Sequence, residues 1–146
     1  MIPSPRSMTV LQTVDRQVEP VLEEHAGAVL RYFTFFNQGE YVQVADLFTA
    51  KGSLHPPFEP AVVGKDSIAN YLLREAEGMT VSLLSADVHP QEDNRFQVDV
   101  RGSVTALVFK VNVAWCFLLA DDNKIESVRV DLLATLEELF RLRPAD

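Results

Sequence analysis

A single cysteine, Cys116, is all the chain has. That excludes an internal disulfide and suits either a reducing compartment or a bond between two chains. Positive charge is also scarce. Thirteen Lys and Arg stand against 21 Asp and Glu, a net charge of −8, which argues against nucleic acid, because phosphate binding needs a basic face. No apolar run approaches the roughly 20 residues of a membrane helix. Residues 1–8 have no apolar stretch of the signal-peptide kind, so residues 1–14 are read as a flexible lead-in and a cytoplasmic protein is expected. Neither a repeat nor a low-complexity linker is present, and residues 15–146 read as one domain, long enough to bury roughly 68–70% of its unfolded surface. His25, His55 and His89 fall in separate elements without metal-ligand spacing, so no metal site is expected.

The chain does contain helices first and strands afterwards. Val18, Leu22, Val29, Tyr32 and Phe36 recur at steps of three and four with His25 in register, which predicts one helix over 15–37, stopped at Asn37-Gln38-Gly39. A short helix over 41–48 follows. Lys51-Gly52 is expected to turn the chain into a short strand over 53–55, which Pro56-Pro57 ends. Gly64-Lys65-Asp66-Ser67 opens a third helix with Ile68, Tyr71 and Leu72 inward, and Gly78 closes it. Strands are expected over 79–88, 95–105, 108–119 and 125–133, with polar turns at 91–94 and 121–124. Thr135-Leu136-Glu137-Glu138 has the pattern of a capping box and predicts a C-terminal tail helix over 135–143.

This order makes the fold α+β: N-terminal helices packed on a curved, mainly antiparallel sheet of four to six strands. The shape is a cone whose apolar interior is either filled or a pocket. Its expected lining is Val29, Phe36, Leu107, Val113, Phe117 and Val130. In the third long strand, Trp115 shares a face with Val113, Phe117 and Leu119, while Cys116 shares the other with Asn112, Ala114 and Leu118. Both faces are largely apolar, so neither is expected to meet water. Two copies meeting on the Cys116 face would bring two thiols together across a two-fold axis. Asp131 alternates with Arg129 on the last strand and is expected to pair with it or with a helix residue. An enzyme reading stays open, with Asp46, Asp99 or Asp131 as a base and Tyr32 as a donor to an enolate. So does a pigment-free dimerisation module.

The element order resembles the nuclear-transport-factor-two-like cone fold shared by ketosteroid isomerases and polyketide cyclases. Four segments sharpen the likeness. Leu54-His55-Pro56-Pro57-Phe58-Glu59-Pro60-Ala61-Val62-Val63-Gly64-Lys65 and Tyr71-Leu72-Leu73-Arg74-Glu75, followed by Gly78, resemble consecutive parts of the C-terminal domain of the orange carotenoid protein family. Asn112-Val113-Ala114-Trp115-Cys116-Phe117-Leu118-Leu119 and Val130-Asp131-Leu132-Leu133-Ala134 resemble two later parts in the same order. The likeness departs at residues 105–110, where the family's second tryptophan is missing, and at Cys116, where the family has arginine.

The resemblance implies a stand-alone homologue of that domain, of a cyanobacterial class of non-catalytic carriers. Such a carrier binds a ketocarotenoid (canthaxanthin or echinenone), transfers it, and protects against light and singlet oxygen. It implies that Tyr32 and Trp115 donate to the carotenoid keto oxygen, since phenol and indole each join a flat apolar body to one donor. The implied partners are a second copy sharing one pigment, helical carotenoid-protein homologues as donors or acceptors, and a membrane touched transiently for pigment uptake.

Overall fold

Apolar residues at helical spacing near the start of the chain build two helices rather than one. The computed structural model describes residues 18–133, without the side chains of Glu24 and His25. The expected lead-in and the 135–143 helix lie outside them. Helix α1 (Val18–His25) and helix α2 (Gly27–Asn37) meet at Ala26, whose φ of −155° and ψ of 61° are not helical. Gly27 follows directly, and glycine is a poor helix former. The break lets both apolar faces reach the core, with Val18, Leu22, Val29, Tyr32 and Phe36 all buried. Helix α2 ends where expected: Gly39 turns left-handed at φ 76° and its N–H donates to the Phe36 carbonyl at 3.0 Å, closing the helix end.

Helix α3 (Tyr41–Asp46) stops before Phe48, which instead begins strand β1 (Phe48–His55). Lys51-Gly52 therefore does not turn the chain. It lies within β1, where the register against the last strand shifts between Phe48 and Ser53. A Cβ on Gly52 would sit 2.9 Å from Phe48 Cβ and 3.0 Å from the Ile125 carbonyl oxygen, so glycine marks a bulge and close approach here rather than a loop. A two-residue strand β2 (Val62–Val63), not expected from the sequence, precedes helix α4 (Lys65–Glu75). Strands β3 (Thr80–Pro90), β4 (Phe96–Thr105), β5 (Lys110–Leu119) and β6 (Ile125–Leu133) follow close to their expected bounds.

The sheet runs β2-β1-β6-β5-β4-β3. Every pairing is antiparallel except the parallel contact of β1 with β6. A second register shift interrupts β3 between Leu83 and Ser85. Beside it a Cβ on Gly102 would fall 2.2 Å from the Ser82 carbonyl oxygen, so the strands pass too closely there for any side chain. Such bulges bend a sheet, and the helices fill its inner face. Along β5 the inner residues Val113, Trp115, Phe117 and Leu119 are buried, whereas Asn112 is exposed and Ala114, Cys116 and Leu118 are half-buried. Among the described residues the outer face is thus partly open, where a helix, a second sheet or a second subunit was expected to pack on it. Among the described residues no second layer covers it.

The cone is filled at one end and hollow at the other. Phe48, Phe117, Leu119 and Val128 are fully buried. Further along β6 the inward series loosens, from Val128 at 0% exposed through half-buried Val130 to Leu132 at 46%. That loosening end, shared with the β4–β5 hairpin, is where the interior opens.

A candidate ligand cavity with two donors

Beyond Phe117 the inner face of β5 and the inner side of α2 enclose a cavity of ≈ 350 Å³. Tyr32 from α2 and Trp115 from β5 both line it. Their rings are held by aromatic neighbours. Trp115 meets Phe33 edge-on at 4.9 Å and 79°, and Tyr32 meets Phe117 at 5.1 Å and 87° and Phe33 at 5.1 Å and 77°. Edge-to-face contacts of this kind fix ring orientation as well as adding packing. The other walls come from Phe36, from the segment Pro56-Pro57-Phe58-Glu59, from Tyr71 and Leu72 of α4, and from Val104, Val111, Val113 and Val130 of the sheet.

The polar groups are few and distinct. The chain has three tyrosines. Tyr41 donates to the Ala76 carbonyl at 3.0 Å, and Tyr71 donates to Glu59 Oε2 at 3.3 Å. Among the described residues, neither the Tyr32 hydroxyl nor the Trp115 indole N–H finds a hydrogen-bond partner. Burial, reinforced by the nearby Tyr71 phenol, pushes the Tyr32 hydroxyl well above its ordinary pKa, so it stays a neutral donor at physiological pH. The Tyr71 phenol is pushed up to about 12, first by burial and then by Glu59. Among the described residues the mainly apolar cavity wall thus carries two donors, Tyr32 and Trp115, for which no hydrogen bond is found. A mainly apolar ligand with a hydrogen-bond acceptor suits such a wall.

Of the six residues expected to line the cavity, Phe36, Val113 and Val130 do. Val29 and Phe117 do not: both are fully buried in the filled end of the cone. Leu107 does not either. It is 96% exposed in the hairpin between β4 and β5, where the chain has already left the sheet. The sequence reading missed Phe58 and Tyr71 as lining residues. Its signal for Phe58 was a phenylalanine bracketed by prolines; for Tyr71 it was an inward position on a helix already assigned to the core.

The three carboxylates considered as a catalytic base lie elsewhere. Asp46 is exposed at the end of α3. Asp99 and Asp131 sit on the outer face, at register positions opposite Cys116 and Ala114. Asp131 accepts from Arg129 Nε at 3.2 Å, the pairing expected from their alternation, and Asp99 lies 3.2 Å from His89 Nε2. The carboxylates that do line the cavity are Glu59 and Glu75, and Glu75 accepts from Arg74 Nε at 3.2 Å. On the outer face, Cys116 is flanked by Asp99 on β4 and Arg129 on β6. Partial burial raises its thiol pKa, and Asp99 raises it further.

Comparison with known proteins agrees with this fold. Residues 24–131 match the family model for the nuclear transport factor 2 (NTF2) domain. The chain is 34% identical over 116 residues to the orange carotenoid-binding protein of Synechocystis sp. strain PCC 6803, across 77% of this chain and 37% of that one. It is similar in structure to the orange carotenoid protein of Anabaena (Nostoc) sp. PCC 7120 binding canthaxanthin, with TM-score 0.72 and 33% identity over 80% of this chain and 39% of that one. The chain therefore spans well under half the length of these relatives, and the part it matches is their C-terminal domain. The epoxide hydrolase/cyclase-like enzyme SalBIII shares the fold at TM-score 0.60, with 18% identity over 80% of this chain and 94% of that one.

Proposed function

We propose, for a chain that belongs to the nuclear transport factor 2 (NTF2) domain family, that it is a non-catalytic cytoplasmic protein that binds and passes on a ketocarotenoid such as canthaxanthin or echinenone. The observation that carries this reading is the pair of donors, Tyr32 and Trp115, on the wall of a mainly apolar cavity, without a hydrogen-bond partner among the described residues. A ketocarotenoid is nearly all hydrocarbon, with an acceptor on its end ring. Tyr32 and Trp115 hold that oxygen, each bond contributing about 1 kcal/mol net. The apolar walls supply most of the affinity, at roughly 25 cal/mol per Å² of surface removed from water. A bound ketocarotenoid supplies light absorption and singlet-oxygen quenching; the chain's part is to hold and orient the ring and exclude water. The likeness to carotenoid-binding relatives favours this class of ligand over an enolising substrate, and Asp46, Asp99 and Asp131 are not among the residues that line the cavity. Titrating the ligand-free protein with canthaxanthin is expected to give a red-violet complex absorbing at longer wavelength than the free pigment. A protein that stays colourless overturns the reading.

A ketocarotenoid is longer than one cavity of ≈ 350 Å³ can enclose, so a second copy is the proposed partner for its far half, with helical carotenoid-protein homologues as donors or acceptors. The outer face offers a second, redox-controlled contact between copies. Around Ala114 and Cys116 the flanking charges alternate: Asp99 and Arg129 flank Cys116, while Arg101 and Asp131 flank Ala114. A two-fold axis along β5 would lay Asp99 of one copy over Arg129 of the other and Arg101 over Asp131, with Cys116 over Cys116. A disulfide needs Cα atoms about 4.4–6.8 Å apart, closer than the roughly 10 Å of stacked sheets, and the small Ala114 leaves room for that approach. On non-reducing gels, mild oxidant is expected to produce a dimer band that Cys116→Ser abolishes. The thiolate is the attacking species and the thiol pKa is raised, so dimer formation should accelerate by about tenfold per pH unit as pH rises toward that pKa. A wild-type monomer that persists under oxidant removes the disulfide.

A further inference from the structure

The loop joining β1 to β2 carries a strained aromatic residue at the cavity mouth. Residues 56–60 read Pro-Pro-Phe-Glu-Pro, and each proline fixes its own φ at about −65°. Between them Phe58 takes φ 63°, in the left-handed region that bulky residues rarely enter. Among the described residues the other non-glycine positions there are Asp93, Asn94 and Asn123, short polar types that tolerate it. Phenylalanine does not. The Phe58 side chain is 93% exposed, so no contact within the chain offsets the strain, yet it lines the cavity. The loop around it is anchored. Strands β1 and β2 pair at Ser53 with Val63 and Leu54 with Val62, and Tyr71 ties the loop to α4 by donating to Glu59 Oε2 at 3.3 Å.

We propose that Phe58 is a clamp: its ring closes on the stretch of bound ligand that leaves the cavity mouth and sets how long the ligand stays. The inference rests on the ketocarotenoid reading above and deepens it. A cavity of ≈ 350 Å³ encloses only part of such a ligand, so a stretch of apolar chain emerges past the exposed residues of its wall, Phe58 among them. A flat ring laid along that chain removes water from both surfaces. The left-handed backbone then has a use. It sets the direction of the Cα–Cβ bond, and an ordinary φ would aim the ring elsewhere. Backbone strain of this kind gathers at ligand clamps. Rotation about χ1 moves the ring between staggered positions, so closing on the ligand leaves the anchored backbone in place. Strain also singles out Phe58 from the other bare apolar side chains. Leu107 and Val108 are 96% and 84% exposed, but neither has a positive φ.

Release of canthaxanthin from the loaded protein decides it, followed as the loss of long-wavelength absorption into excess methyl-β-cyclodextrin. Phe58→Ala is expected to release at least about fivefold faster than wild type. Phe58→Tyr, which keeps the ring, is expected to release at the wild-type rate. Ligand-free Phe58→Ala is expected to share the wild-type thermal midpoint, because the ring packs on almost nothing in the empty protein. Phe58→Gly is expected to melt above Phe58→Ala, since glycine enters the left-handed region without strain. Equal release from wild type and Phe58→Ala overturns the proposal. So does a Phe58→Ala midpoint well below wild type, which would make the ring a packing element of the empty protein. A Phe58→Gly that melts below Phe58→Ala would mean that no strain is stored at this position, and overturns it too. Wild-type protein that takes up no canthaxanthin overturns the ketocarotenoid reading and the clamp together, whereas equal release rates overturn the clamp alone.

Discussion

Tyr32→Phe combined with Trp115→Phe is expected to leave a folded protein that still takes up canthaxanthin but has lost most of its long-wavelength shift. The two contributions separate because they have different origins. Affinity comes chiefly from apolar wall area, which phenylalanine preserves at position 32 and largely preserves at 115. The shift comes from electron density drawn toward the ring carbonyl by two donors, and phenylalanine has none. Losing two bonds of about 1 kcal/mol each weakens binding roughly 30-fold, from a total that the walls dominate. Folding is little affected at Tyr32, whose hydroxyl has no partner among the described residues to lose. At Trp115 the smaller ring gives up part of its edge contact with Phe33, a loss of about 1–2 kcal/mol. Each single variant should keep part of the shift. Colour should not change between pH 6 and pH 9 in the wild type, since burial holds the Tyr32 phenol protonated throughout. Absorption spectra of the four proteins, with thermal melts of the ligand-free forms, check all of this. A double variant with the wild-type spectrum would mean that the two donors do not hold the carbonyl.

That Tyr32 and Trp115 face the cavity was legible because a ring with one donor is an unusual thing to find on an otherwise apolar face, and the resemblance pointed to both. The strand alternation was legible for the same local reason: Phe96, Val98 and Val100 interleave with Gln97, Asp99 and Arg101, and the period of two leaves only the choice of side. The break at Ala26 was not, because a helical period continues across one non-helical residue when both halves pack on the same core. Nor was the run of β1 through Lys51-Gly52. Glycine signals a turn far more often than a bulge, and only the approach of Phe48 and Ile125 distinguishes the two. Which inward residues line a cavity and which fill the core is set by how far along the cone each lies. Val29, Phe117 and Val113 carry the same local pattern, and only the assembled sheet separates them.

Phe117→Ala should therefore behave as a core mutation and not as a change to the pocket. Phe117 is fully buried. It faces Tyr32 at 5.1 Å and Phe33 at 5.6 Å, and its strand neighbours Val98 and Val128 are fully buried as well. Close packing of this kind leaves little to collapse into the space, so truncation costs both the transfer of the ring and the void it leaves, about 3–5 kcal/mol. Out of a typical 5–15 kcal/mol of total stability that is enough to unfold much of a marginal chain. Val130→Ala makes the contrast. Val130 is half-buried and lines the cavity, so its truncation widens a space that already exists and costs about 1 kcal/mol or less. Its effect should appear in pigment affinity instead. Denaturant unfolding of the two ligand-free variants, followed by canthaxanthin titration of each, separates the roles. If Phe117→Ala proves as mild as Val130→Ala, the hollow reaches deeper along the cone than Trp115, and the boundary drawn here between packed core and ligand cavity is misplaced.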